Sequence, residues 1–368
     1  MSHYHPHPHW QQAQIVLSSD DLHADLAFYD EELGFDLQTI YPADDPAVAV
    51  LSGFGLTLRL DKTLKSNPGV LCLQTALPLS SIAGKELPSR SPSGTQIIYE
   101  HISDKPNRPA TQHEFGVRQF LKDEPWVIGR AGMHYRDLIP SRLGGSIIAS
   151  HIRIPTGGPV PDMVHYHTVG FQLIYCYRGW VRLVYEDQGE PFVLKAGDCV
   201  TQPPKIRHRV LEASDGLEVI EIGVPAEHIT TIDHDMELPN QVLNRAREFE
   251  GQTFCHHQLT NAVWDRFRLS GFEARDSGIQ QATGNVAGVK VVRTNSDHSP
   301  STTSQHNADI LFGFVLEGSM TLGVDKMHVL QQGAAFTVPP DTRYTIKDCS
   351  RDLQWLEVTL PGDFVTHE

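Results

Sequence analysis

The residues able to do chemistry gather between positions 165 and 208. His165-Tyr166-His167 falls on a predicted strand. Residues i and i+2 of a strand point to the same side, so both imidazoles can face one interior. Gln172 follows after four residues and Gly179 after six more; Gly197 then leads, through five residues, to Pro203 and on to His208. The chain's 20 histidines are its one compositional excess and make a metal site the first thing to look for. Competing chemistries are not evident: there is no Gly-rich phosphate loop, no nucleophile elbow and no Cys-x-x-Cys pair. Cys255-His256-His257 reads as a solvated loop, because adjacent residues rarely converge on one ion. The alternating His and Pro of residues 1–10 read as a solvated tail.

The elements that must position this cluster are short strands. Residues 146–154, 171–177, 181–185, 199–202 and 217–222 are strand-like, with turn signals at Gly157-Gly158-Pro159, Asp187-Gln188-Gly189, Ala196-Gly197-Asp198 and Asp215-Gly216. Many short strands with regular turns argue for an antiparallel barrel or sandwich. Along 171–177, alternation with Gln172 inward turns Cys176 inward and Tyr175 outward, both as packing residues. Residues 263–361 repeat the pattern. Arg178-Gly179-Trp180-Val181-Arg182-Leu183 aligns with Glu317-Gly318-Ser319-Met320-Thr321-Leu322, and the stretch from Ala196 to Pro204 aligns with Gln332 to Pro340. A connector precedes this second copy and carries an expected short surface helix over 240–250.

Upstream, a strand at 14–17, a helix from Leu22 to Leu33 capped by Asp20 or Asp21 and stopped by Gly34, and strands at 35–40, 47–51 and 56–60 form a small α+β pattern. Residues 61–125 are rich in Pro, Ser and Lys, with strands expected at 69–74 and 95–101. The resulting division is a disordered His-rich tail (1–12), an α+β module with linker (13–125), a metal-binding barrel (126–230), a connector (231–262) and a degenerate barrel (263–368). The fold class is mainly β.

The spaced anchors from His165 to His208 resemble the two-part signature of the cupin superfamily, and the internal repeat extends the resemblance to a bicupin. It implies a metal inside the first barrel held by His165, His167 and His208, with Gln172 in the place of the family's Glu. Lys205 stands for the Gly of the second motif and Glu212 for its Asn. In the second copy His306 aligns with His167, but Ser304, Leu311 and Tyr344 replace the other positions, so no metal site is expected there. The upstream module, with Phe28-Tyr29 and Leu33-Gly34-Phe35, resembles half of a vicinal oxygen chelate (glyoxalase-like) domain. It places Gln14 and Arg59 where that family carries metal ligands, which implies a structural or interface role.

Three neutral imidazoles suit a divalent transition metal and leave positions open for substrate. Fe(II) heads the candidates, with Mn, Ni, Zn and Cu as alternatives. Without the carboxylate the centre is one unit more positive and favours a small anionic chelating substrate. A non-haem dioxygenase is the leading expectation; a metal-dependent isomerase, lyase or hydrolase, or a non-catalytic ligand-binding bicupin, are the alternatives. No acid–base pair is conspicuous beside the motif. With 30 Lys and Arg against 45 Asp and Glu, a formal charge of −15 argues against nucleic acid and anionic membranes as partners. No apolar run nears the roughly 20 residues of a membrane helix, and the N-terminus has no signal-peptide core. Five scattered cysteines suggest reduced thiols in a cytoplasm. A homodimer is expected from the sheet edges that need cover.

Overall fold

Gly179, Gly197, Gly318 and Gly333, the glycines that anchor the sequence repeat, all adopt positive φ between +71° and +91°, a backbone region that costs glycine least. Each sits where the chain leaves one sheet and enters the sheet facing it. The computed structural model describes residues 14–42, 46–82, 87–102, 105–295 and 299–368; the expected tail at 1–12 lies outside them. The chain divides into two units, one up to residue 103 and one from residue 104 onward.

In the smaller unit Ile15–Ser18 runs parallel to Leu56–Asp61, and Val48–Gly53 and Asp36–Tyr41 extend the sheet. Asp21 caps the helix Leu22–Ala27, its carboxylate accepting from the His23 and Ala24 amides at 3.1 Å. The helix read over 22–33 does not continue as one form: Phe28–Glu32 widens into a π turn. That turn buries the adjacent rings of Phe28 and Tyr29 together, in edge contact at 5.5 Å. Gly34 (φ +77°) then ends it. Val70–Thr75 and Gln96–His101 pair as a separate parallel ribbon.

The larger unit holds two similar halves. In the first, a seven-stranded sheet has Phe171–Arg178, Leu217–Val224 and Ile148–Ile154 at its centre, and the sheet facing it contains Trp180–Tyr185, His208–Ala213 and His165–His167. Cys176, Val181, Leu183, Val200 and Val219 fill the space between. In the second half Ile310–Glu317, Gln354–Leu360 and Gly288–Thr294 face Ser319–Gly323, Tyr344–Lys347 and Thr302–His306. Met320, Leu322, Phe336 and Trp355 make that core. The mainly β architecture stands, but the expected barrels do not close: among the described residues every sheet is open, and the corners are turned by chain crossings rather than by ladder bonds.

Strand alternation divides the labour. Phe171, Leu173 and Tyr175 point away from the first interior and pack on Val291, Phe312, Phe314 and Val358 of the second half, each large side chain contributing about 1.5–3 kcal/mol on burial. The halves also exchange strands. Gly116–Arg118, from the segment read as linker, pairs with Ala335–Val338 of the second half. Cys255–His257 joins the edge of the first half's sheet beside Cys199–Thr201. The Cys255-His256-His257 cluster is therefore a half-buried strand and not a solvated loop. The helix expected over 240–250 is also absent. Arg247 is drawn to Glu186 and Asp187 at 2.7 and 2.8 Å, and Glu248–Phe249 pairs with Gln252–Thr253, so tertiary contacts override local preference.

Candidate metal centre

His165 and His208 are register partners on adjacent antiparallel strands, and His167 lies two residues along from His165 on the same face. All three are buried, His165 completely. Their rings stand 4.3–5.2 Å apart, and one nitrogen from each lies within 4.8 Å of the others. Among the described residues no other group of three His, Cys, Asp or Glu converges this way.

The tautomers of His165 and His208 follow from their carbonyl partners. His165 Nδ1 donates to the Met163 carbonyl at 2.7 Å and His208 Nδ1 to the Ile206 carbonyl at 3.0 Å. His167 Nδ1 bonds Thr230 Oγ1 at 2.9 Å, across the ladder that joins Thr230–Ile232 to this strand. Asp162 stands 3.7 Å behind His165 Nδ1. With every Nδ1 engaged, Nε2 is the nitrogen that would face a metal on each ring, the arrangement that orients metal-bound histidines. Lys205 takes φ +62°, the conformation its glycine counterpart would adopt, so the turn before His208 survives the substitution, and its amide donates to the His167 carbonyl at 3.0 Å.

Gln172 is buried on the inward face of its strand and donates from Nε2 to Glu221 Oε1 at 2.7 Å. Its Oε1 is buried with no donor, a state that costs about 1–3 kcal/mol unless a cation or donor fills it. Three buried imidazoles and an orphaned amide oxygen fit a divalent metal. Cys176 is inward as expected, but its thiol bonds the Arg178 and Gly179 carbonyls, and burial pushes it up to about 12, so it packs rather than ligates. Tyr175 faces the second half, where its hydroxyl accepts from Arg275 at 3.1 Å.

Three further residues border the centre. Glu221 shares its strand face with Leu217 and Val219, and that parity was the available signal for an inward carboxylate. It adds one carboxylate to a site beside which the sequence showed no conspicuous acid–base pair. Tyr185 stacks on His208 at 5.5 Å and accepts a hydrogen bond from Gln202 at 3.0 Å; burial holds its phenol above the ordinary tyrosine range. His228 meets His167 edge-on at 5.5 Å, and nothing in its sequence spacing announced it. His167, His208, Tyr185, Gln202 and Glu221 open on a cavity of about 80 Å³ otherwise walled by side chains such as Ile152, Ile174, Leu183 and Val219. No Lys or Arg lines it among the described residues.

Residues 150–222 match the family model of the cupin domain. Fold and match together support a cupin superfamily member. Salicylate 1,2-dioxygenase from Pseudaminobacter salicylatoxidans superposes with a TM-score of 0.52 at 13% identity, over 71% of this chain and 90% of that one. Oxalate decarboxylase from Lactobacillus farciminis gives 0.51 at 13%, again over 71% and 90%. An oxalate decarboxylase variant from Bacillus subtilis gives 0.51 at 10%, over 72% and 81%. At these identities the likeness establishes the cupin fold. No curated protein matches the sequence significantly. The histidine cluster has the composition and spacing that could hold a divalent metal.

Proposed function

We propose that the first cupin domain is the catalytic centre of a metal-dependent enzyme, a non-haem Fe(II) dioxygenase acting on a small anionic chelating substrate with an apolar body. The observation that carries this reading is the buried triad His165, His167 and His208, each held through Nδ1, of which His167 and His208 open on a largely apolar cavity. Imidazoles and the Gln172 amide are neutral, so these groups would leave the ion's charge to be met by an anionic substrate. With no Lys or Arg on the cavity wall, the metal is the cation that meets the substrate's charge, and the apolar wall receives the rest of the molecule. Fe(II), when bound, supplies reaction with O₂ to a chelated, electron-rich anion. Tyr185 and Gln202 offer polar contacts at the wall, and the surrounding Ile, Leu and Val side chains exclude water.

A second reading rests on Glu221. A carboxylate on the cavity wall is what a Lewis-acid isomerase, lyase or hydrolase would use to move a proton. The two readings separate on oxygen. Protein freed of its His-rich tail is analysed for metal, loaded with Fe(II), and tested for oxygen uptake with keto and hydroxy acids. One tightly bound metal per chain and strictly aerobic turnover are expected. Equal conversion without oxygen overturns the dioxygenase, and equal rescue by Zn or Mn puts the Lewis-acid enzyme in its place. We also propose a cytoplasmic homodimer. The strand Asp36–Tyr41, exposed along its whole length at a sheet edge, offers the kind of surface a second copy covers. No helix among the described residues is long and apolar enough to cross a membrane.

A further inference from the structure

Gln172 is held more tightly than a packing residue needs. Its carbonyl accepts from the Gln202 amide at 2.9 Å and from Thr201 Oγ1 at 3.2 Å, and its strand is paired on both sides. Only the end of the side chain is left to be oriented. A carboxamide has two nearly isosteric ends, one donating and one accepting, and a carboxylate accepts. Glu221 Oε1 at 2.7 Å from Nε2 therefore selects one of two amide orientations: the NH₂ faces Glu221 and Oε1 faces away, buried and without a donor. Glu221 borders the same cavity as His167 and His208. An amide oxygen is a donor to divalent cations; an amide NH₂ is not.

The second half supplies a control. Glu357 stands opposite Gly313 in the ladder as Glu221 stands opposite Ile174, and Leu311 occupies the position of Gln172. There the carboxylate is held by Arg268 instead, at 2.6 and 2.8 Å. The carboxylate is common to both halves, while the group it orients differs, and it orients an amide in the half with the three imidazoles.

We propose that Glu221 is a positioning residue that fixes the Gln172 amide with Oε1 toward the three imidazoles, making that oxygen a fourth protein donor to the metal. This rests on the metal site proposed above. Outer partners of metal ligands typically contribute 10–100-fold to affinity. The test titrates full-length protein, stripped of metal, with Co(II) and reads affinity and the visible d–d bands, which report coordination number. E221L and Q172L should each weaken Co(II) about tenfold and shift the bands alike, and the double variant should be no worse than Q172L. E221Q keeps an acceptor and should bind within about threefold of the parent. Should E221L fail to fold, E221M tests the same loss of the acceptor. Parent-like affinity and bands in E221L, or additive losses in the double variant, would overturn the inference. H208A separates the two readings: if it abolishes Co(II) binding while E221L does not change it, the metal site stands and Glu221's role falls. If the parent binds no Co(II), both fall.

Discussion

The two cupin-like halves share strand order, corner glycines and an inward carboxylate at the same register, yet their interiors solve the polar problem differently. The first brings His165, His167 and His208 together and, on the same inward side, buries a Gln172 amide whose oxygen has no donor. The second keeps only His306 and closes on itself: Arg268 forks onto Glu357 and lies over the rings of Phe267 and Phe364. One interior has the groups that could hold an added cation; the other carries its cation on a side chain. A shared scaffold therefore says little about where a site is, and the identity of three or four inward residues says most.

The sharpest way to break this contrast is to remove one imidazole. His208→Ala should lower bound metal from about one per chain to under a tenth, measured by elemental analysis, while thermal unfolding of the metal-free protein stays near the parent's. Full metal retention would mean another residue closes the sphere.

The mirror experiment is in the second half. Arg268→Met leaves Glu357 buried and unpaired and should cost about 3–5 kcal/mol, with metal content unchanged. Arg268→Met with Glu357→Met should recover most of the loss. If the single variant instead changes metal content, the halves are coupled and the contrast is too simple.

A third prediction concerns His306. Burial, and then the nearby Arg268 charge, hold its pKa below the ordinary value of about 6.5. A histidine with a depressed folded pKa is neutral in the native state, so the unfolded chain binds the extra proton as pH falls below about 6.5. Stability should rise with pH up to about that value and level off above it. His306→Gln should flatten that slope in denaturant unfolding measured between pH 5 and 7, which are roughly the limits set by this titration. An unchanged slope would place the proton uptake elsewhere.

The smallest effect is expected at Tyr185. Tyr185→Phe removes the acceptor of Gln202 and should cost about 1 kcal/mol, while metal binding persists because the ring still stacks on His208. A loss of metal would promote Tyr185 to a direct role.

Period-2 patterns, the tandem Gly and Pro anchors and the His-x-His spacing made the mainly β fold and the candidate site legible in the sequence alone. They are local signals: alternation fixes which face of a strand is apolar, a turn needing positive φ selects glycine, and two residues apart on a strand means one side. The convergence of His208 on His165 was readable only through the resemblance, since the two meet across a ladder that no local rule specifies. Tertiary structure decided the rest. Glu221 entered the site because the strand Leu217–Val224 lies beside the strand of Gln172 in one register, and a shift of one residue would have turned it out. The helix expected over 240–250 yielded to ion pairs with Glu186 and Asp187, and the strands Gly116–Arg118 and Cys255–His257 joined sheets far from their neighbours in sequence. Such choices are made by whichever partner buries an edge or satisfies a charge, and that partner is distant along the chain.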